Sequence, residues 1–304
     1  MDDRLQELIE EIRRDNISGA VPLTLKGAQV LVEYIDITKR DSPSSFLAEL
    51  HQLGRTLIQA QPAMASFFNL VNRVLWRLEG LTELQAMKEA VREGAEAFAA
   101  ELTRQGECIA QAVLPLIGEG ATIMTHSYSS TVLKGLLVAR GEGRRMRVIC
   151  LEGRPMREGV TLARELGQAG IEVTLIVDAA GPQMMEEAQL VLVGADSLSP
   201  LGLVNKVGTY ALALAARAHR VPFYALCGSE KFLPADWLPH MAAEVGGAAS
   251  EILPEPVRNV SVLNRYFDLT PLPYLCAVIT ERGIMGPAEV KEALAELKVH
   301  PSLL

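Results

Sequence analysis

Several clusters of polar residues in this 304-residue chain could carry chemistry, and each follows a short apolar run or opens a helical one. Thr125-His126-Ser127-Tyr128-Ser129-Ser130-Thr131 is dense in hydroxyls and leads into a segment of helical spacing. Such a turn offers free backbone N–H groups and the positive end of a helix, the physical means of holding a phosphate. Ser129 or Ser130 would equally serve as an ordinary N-cap. Glu152-Gly153-Arg154-Pro155 supplies a guanidinium able to clamp an anion with two parallel donors, or to pair on the surface. Gly194-Ala195-Asp196-Ser197 sets a carboxylate beside two small residues, so Asp196 can act as general acid or base or bind a sugar hydroxyl. Asn205-Lys206-Val207-Gly208-Thr209, read as the start of a helix, and Ser229-Glu230-Lys231-Phe232 add ammonium groups that neutralise phosphate or carboxylate charge. Asp178 closes a further apolar run. Taken singly, each of these is a cap or a solvated charge.

The elements around them decide whether they meet. Residues 1 to about 118 keep a helical period, beginning with Leu5, Leu8, Ile9 and Ile12 on one face, with breaks at Asn16-Ile17-Ser18-Gly19, Asp41-Ser42-Pro43-Ser44 and Gln61-Pro62. The longest helix is predicted from about Thr82 to Ile117. From Gly118 onward short apolar runs alternate with amphipathic segments, the pattern of βαβ units around a parallel sheet. The runs are 121–125, 147–151, 173–177, 190–193, 223–226 and 276–279, continuous as in strands covered on both faces. Residues 132–139, 160–166, 184–188 and 204–217 have helical spacing and supply the crossovers. Residues 233–264 read as a long excursion or a partner-binding loop, and Tyr266 to Pro273 as a lid or a rigid loop entering a buried strand. The fold class is therefore α/β: a helical domain, 1–118, followed by a Rossmann-like domain with a mainly parallel sheet, 119–304. In such sheets ligands sit beyond the carboxyl ends of the strands, which is where the polar clusters fall.

Composition removes several function classes. A net charge of −8 and a pI of about 5.3 oppose binding to a nucleic-acid backbone. Cys108, Cys150, Cys227 and Cys276 are far apart and read as reduced thiols of a cytoplasmic protein. His51, His219, His240 and His300 are scattered without metal-ligand spacing, so neither a metal nor another cofactor is expected. No apolar run is long enough to span a bilayer, and neither a G-x-S-x-G elbow nor a Walker A run is present.

As a set, these motifs resemble one superfamily: the alpha, beta and delta subunits of eukaryotic initiation factor 2B, methylthioribose-1-phosphate isomerase and ribose-1,5-bisphosphate isomerase. Thr125-His126-x-Tyr128-Ser129 is similar to the alpha-subunit form of its loop, and Glu152-x-Arg154-Pro155 to the isomerases' Glu-x-Arg-Pro. Gly194-Ala195-Asp196, Asn205-Lys206-x-Gly208-Thr209, Glu230-Lys231-Phe232 and Phe267-Asp268-x-Thr270-Pro271 resemble family signatures in the same order. In the helical half, Gly19-Ala20 is similar to an Arg-Gly-Ala turn that lines the isomerase pocket, with Ser18 in place of the arginine.

The resemblance implies a phosphorylated sugar or nucleoside monophosphate held between the two parts, and a homo-oligomer built through the second. It also implies a departure at Ser127, where the isomerases carry a cysteine that works with the aspartate matching Asp196 to shift a proton or hydride between sugar carbons. A thiol, with a reference pKa of ~8.5, can be tuned toward neutrality, whereas a serine hydroxyl needs an adjacent base or metal. The leading expectation is thus an initiation-factor-like binder without isomerase activity. The alternative is an aldose–ketose isomerase of a phosphorylated pentose that uses Asp196. A third reading, an acyl- or CoA-handling enzyme, rests on fold analogy alone.

Overall fold

The computed structural model describes residues 2–15, 18–235, 237 and 246–304. Asn16 and Ile17 of the first predicted break, His240 and the middle of the 233–264 excursion lie outside the described residues.

The chain begins with helices α1 (Asp3–Arg14), α2 (Ala20–Ile37), α3 (Pro43–Ala60), α4 (Ala65–Arg77) and the long α5 (Leu84–Val113). Local chemistry sets their ends. The Asp2 carboxylate accepts from the Arg4 N–H ahead of α1; the Ser42 hydroxyl accepts from the Ser45 N–H, and Pro43 opens α3 where no N–H is missed. Apolar stripes on these helices merge into one core around Leu23, Leu31, Phe46, Phe67 and Phe98. Leu233, Trp237 and Leu303, from far along the chain, join that core.

A seven-stranded sheet follows, in the order β10-β9-β7-β4-β1-β2-β3. Its strands are β1 (Ala121–His126), β2 (Met146–Leu151), β3 (Glu172–Ile176), β4 (Leu190–Val193), β7 (Phe223–Leu226), β9 (Ala277–Thr280) and β10 (Gly283–Met285). All pairings are parallel except the β9–β10 hairpin. Helices α6 (Ser130–Gly141), α7 (Glu158–Gln168), the single turn α8 (Gly181–Met184) and α9 (Thr209–His219) form the crossovers, and α10 (Pro287–Ala295) follows the hairpin.

The structure departs from the sequence pattern in three places. The 173–177 run, expected to be covered on both faces, forms edge strand β3, where Leu175 and the following Val177 are exposed. The segment from Val204, expected to be helical, first forms strand β6 (Gly202–Lys206), so Asn205 and Lys206 sit on a strand and the helix begins only at Thr209. Tyr266 leads into β8 (Phe267–Thr270) rather than a loop, and β8, β6 and β5 (Ser197–Ser199) make a small antiparallel sheet. β5 and β6 form a local hairpin, but β6 and β8 satisfy each other's backbone from 60-odd residues apart, and local periodicity carries no trace of such a partner.

Candidate functional site

The strand order reverses at β1. From it the chain winds through β2 and β3 on one side, and through β4, β7 and β9 on the other. A crevice necessarily opens between the carboxyl ends of β1 and β4, because their crossovers leave in opposite directions. Ser127 follows β1, and Gly194-Ala195-Asp196 follows β4.

Backbone geometry brings these two turns together. Ser127 takes a left-handed conformation, φ 64°, which turns the chain sharply into α6. A methyl group at Gly194 would lie 2.6 Å from Ser129 Oγ, so glycine is what lets the end of β4 reach the cap of α6. The Ser129 hydroxyl itself accepts from the Val132 N–H, the capping role expected of it.

The resulting cleft encloses about 700 Å³, its open mouth included. Of the residues singled out in the sequence, Gly19, Ala20, Ser127, Tyr128, Ser129, Ser130, Asp196, Asn205, Lys206 and Lys231 line it. Thr125, His126, Glu152 and Arg154 do not. Thr125 is buried in β1. His126 is buried behind the cleft, with Nε2 2.8 Å from the Val207 carbonyl and Nδ1 3.7 Å from the Asp178 carboxylate; burial holds its pKa below the ordinary value. Glu152 pairs with Arg157 at 3.2 Å. Arg154 is exposed and donates toward the Glu251 carbonyl at 3.3 Å. Asp178 accepts from the Gly153 and Arg154 N–H groups, shaping that turn rather than facing a ligand.

Residues that sequence reasoning passed over also line the cleft, Asp15, Met64 and Glu158, as do Gln61, read only as a break, and Tyr266, read as the start of a lid or rigid loop. Glu158 opens α7 and forms a buried ion pair of 2.6 Å with Lys206. The Lys206 ammonium also lies 5.2 Å from the Tyr266 ring centroid and 5.5 Å from that of Phe267, within cation–π range. The only advance sign of Glu158 was an acid after the Glu152–Pro155 turn, which resembles any acidic first turn of a helix.

Lys231 is buried and, among the described residues, has no carboxylate within ion-pair distance. Its turn is held from the helical half: Asn69 Nδ2, on α4, donates to the Glu230 and Phe232 carbonyls at 2.7 Å each, on either side of Lys231. The first N–H of α4, at Ala65, donates to the Asp196 carbonyl at 3.1 Å. One helix therefore positions both the lysine and the aspartate. Loss of water around the Asp196 carboxyl pushes its pKa up to about 6, against the opposing pull of Lys231 and Lys206. A carboxyl poised there exchanges protons readily near neutrality.

The fold and cleft define an α/β protein with a crevice at its switch point, closed on one side by a helical half. The chain belongs to the Initiation factor 2 subunit family, which it matches over residues 16–287. It is 33% identical to a ribose 1,5-bisphosphate isomerase of Archaeoglobus fulgidus, over 94% of this chain and 90% of that protein. Among solved structures it resembles the translation initiation factor eIF-2B of Pyrococcus horikoshii OT3, with a TM-score of 0.82, 32% identity and coverage of 94% and 98% of the two chains. It also resembles the 5-methylthioribose 1-phosphate isomerase of the same organism, with a TM-score of 0.75, 25% identity and coverage of 95% and 86%. Among the described residues no helix is long and apolar enough to cross a membrane.

Proposed function

We propose that the cleft binds a phosphorylated sugar and that Asp196 interconverts its aldose and ketose forms. The observation that carries this reading is the convergence of Asp196, Lys206 and Lys231 on one cleft at the switch point. In that arrangement, once the sugar ring has opened, the Asp196 carboxylate removes the proton from C2 and returns it to C1, while the proton of the C2 hydroxyl passes to the C1 oxygen. An ammonium group offsets charge on the phosphate and on the oxygen of the intermediate enediol. The identity to a protein named as an isomerase supports this reading over a purely binding role.

Binding without turnover is the second reading, and Ser127 favours it. No described residue makes a hydrogen bond with the Ser127 hydroxyl, so nothing activates it as a thiol substitute. Incubation with ribose 1,5-bisphosphate, 5-methylthioribose 1-phosphate and the ribose monophosphates, followed by NMR for ketose, separates the two. Turnover of about 1 per second or faster that Asp196→Asn abolishes supports the isomerase. Saturable binding with no ketose from wild type, and ketose restored by Ser127→Cys, supports the binder.

The working unit in this reading is a homo-oligomer formed through the α/β half, where Leu201, Val257, Val260 and Leu263 are exposed. Light scattering at micromolar concentration that finds only monomer would refute that part.

A further inference from the structure

The two sides of the cleft differ in charge and in hydrogen-bonding sense. The strand side carries its cations, Lys206 and Lys231. The side contributed by the helical half presents Asp15, Ser18 and Gln61, and its side-chain donors are already committed. The Ser18 N–H and O–H both donate to the Asp15 carboxylate at 2.8 Å. Gln61 Nε2 donates to the Ile12 carbonyl at 2.7 Å and to the Asp15 carbonyl at 3.2 Å. Lys26, 3.5 Å from Asp15, is spent on that carboxylate and does not line the cleft. What these side chains turn toward a ligand is therefore a set of acceptors: carboxylate, hydroxyl and amide oxygens. The first turn of α2, Ala20-Val21-Pro22, adds backbone amides but no cation, and Pro22 has no N–H to give.

The charge balance points the same way. Lys206 and Lys231 face Glu158 and Asp196, Glu158 already matches Lys206, and Asp15 on the opposite side is met by Lys26, which does not line the cleft. Lys231 is left to answer a phosphate, which carries roughly −1.5 to −2 charge near neutral pH. A second phosphate on the same ligand would lie against these acceptors with no cation in that part of the lining to meet it.

Resting on the sugar-phosphate reading above, we infer that the cleft selects a monophosphate, seated on the Lys231 side. The unphosphorylated end presents hydroxyl or amino donors to Asp15, Ser18 and Gln61. Ser18 is the position that decides against a bisphosphate.

Calorimetric titration of the wild type with ribose 5-phosphate, ribose 1-phosphate and ribose 1,5-bisphosphate tests this. At least one monophosphate is expected to bind as tightly as the bisphosphate or more tightly. Ser18→Arg, which adds a guanidinium to the acceptor side, is expected to strengthen bisphosphate binding by about tenfold and to shift the preference from the monophosphate toward the bisphosphate. A wild type that binds the bisphosphate about tenfold more tightly than either monophosphate overturns the inference and leaves the sugar-phosphate reading standing. Absence of binding by all three overturns both.

Discussion

Lys206 on β6 and Glu158 at the start of α7 form a 2.6 Å ion pair whose side chains are 7% and 5% exposed. One Glu158 oxygen has no further hydrogen-bond partner among the described residues. The pair ties the small antiparallel sheet to a crossover helix of the large one, and it sits in the cleft wall.

Removing one partner of such a pair strands a buried charge. Lys206→Met is expected to cost about 3–5 kcal/mol, and Glu158→Gln less, about 1–3 kcal/mol, because the lysine keeps its aromatic neighbours. The double variant should recover part of the loss. Urea denaturation of the four proteins measures it, and strictly additive losses would show that the pair is not coupled.

Asp196 sets activity against stability. Its folded pKa, about 6, stands above the unfolded value of ~3.9, so the folded state holds the proton more tightly and loses stability as pH rises through that window. Asp196→Asn removes this cost. The variant should match wild type below pH ~4 and exceed it by up to about 3 kcal/mol at pH 8. On the proposed isomerase reading, turnover needs the carboxylate and should rise through pH ~6 in wild type and be absent in the variant. Thermal unfolding across pH and a pH–rate profile check the two halves separately.

Asn69 holds the turn that carries Lys231. Asn69→Ala releases the two carbonyls that flank the lysine and should weaken ribose 5-phosphate binding by about tenfold. Asn69→Asp, which turns a carboxylate toward those carbonyls, should weaken it more. If both variants lose stability but keep wild-type affinity, Asn69 is a packing residue only.

Gly194→Ala would drive a methyl group into Ser129 and should destabilise the protein by about 1–3 kcal/mol. Ser129→Gly, a change that costs a helix cap only a few tenths of a kcal/mol, should rescue it in the double variant. Differential scanning calorimetry gives the comparison; no rescue would mean the strain lies elsewhere.

The apolar runs and helical periods carried the main architecture, because the covered strands and amphipathic helices of one chain leave their burial pattern in its own order of residues. β1, β2, β4 and β7 lie where continuous apolar runs placed them, and α5 runs within the predicted long helix. β3 reads as covered only because an apolar run does not reveal which side of a sheet lacks a neighbour. The β5–β6–β8 sheet left no local signal, since Val204 to Lys206 is held by Leu269 to Phe267, a partner chosen by the fold.

For the site, the sequence by itself determined the residue types placed after each strand and, through the rule that ligands gather at the carboxyl edge, that Ser127, Asp196 and Lys231 belong to one neighbourhood. Only the tertiary structure decided which polar groups face the cleft. His126 turns inward because β1 runs one residue further than its apolar core, and Arg154 faces outward because Asp178 fixes its turn. Glu158 enters because α7 begins opposite β6, and Asn69 because α4 packs against the Lys231 turn. A side chain's direction depends on partners distant in the chain, and the energies that choose them arise only once burial has excluded water from both.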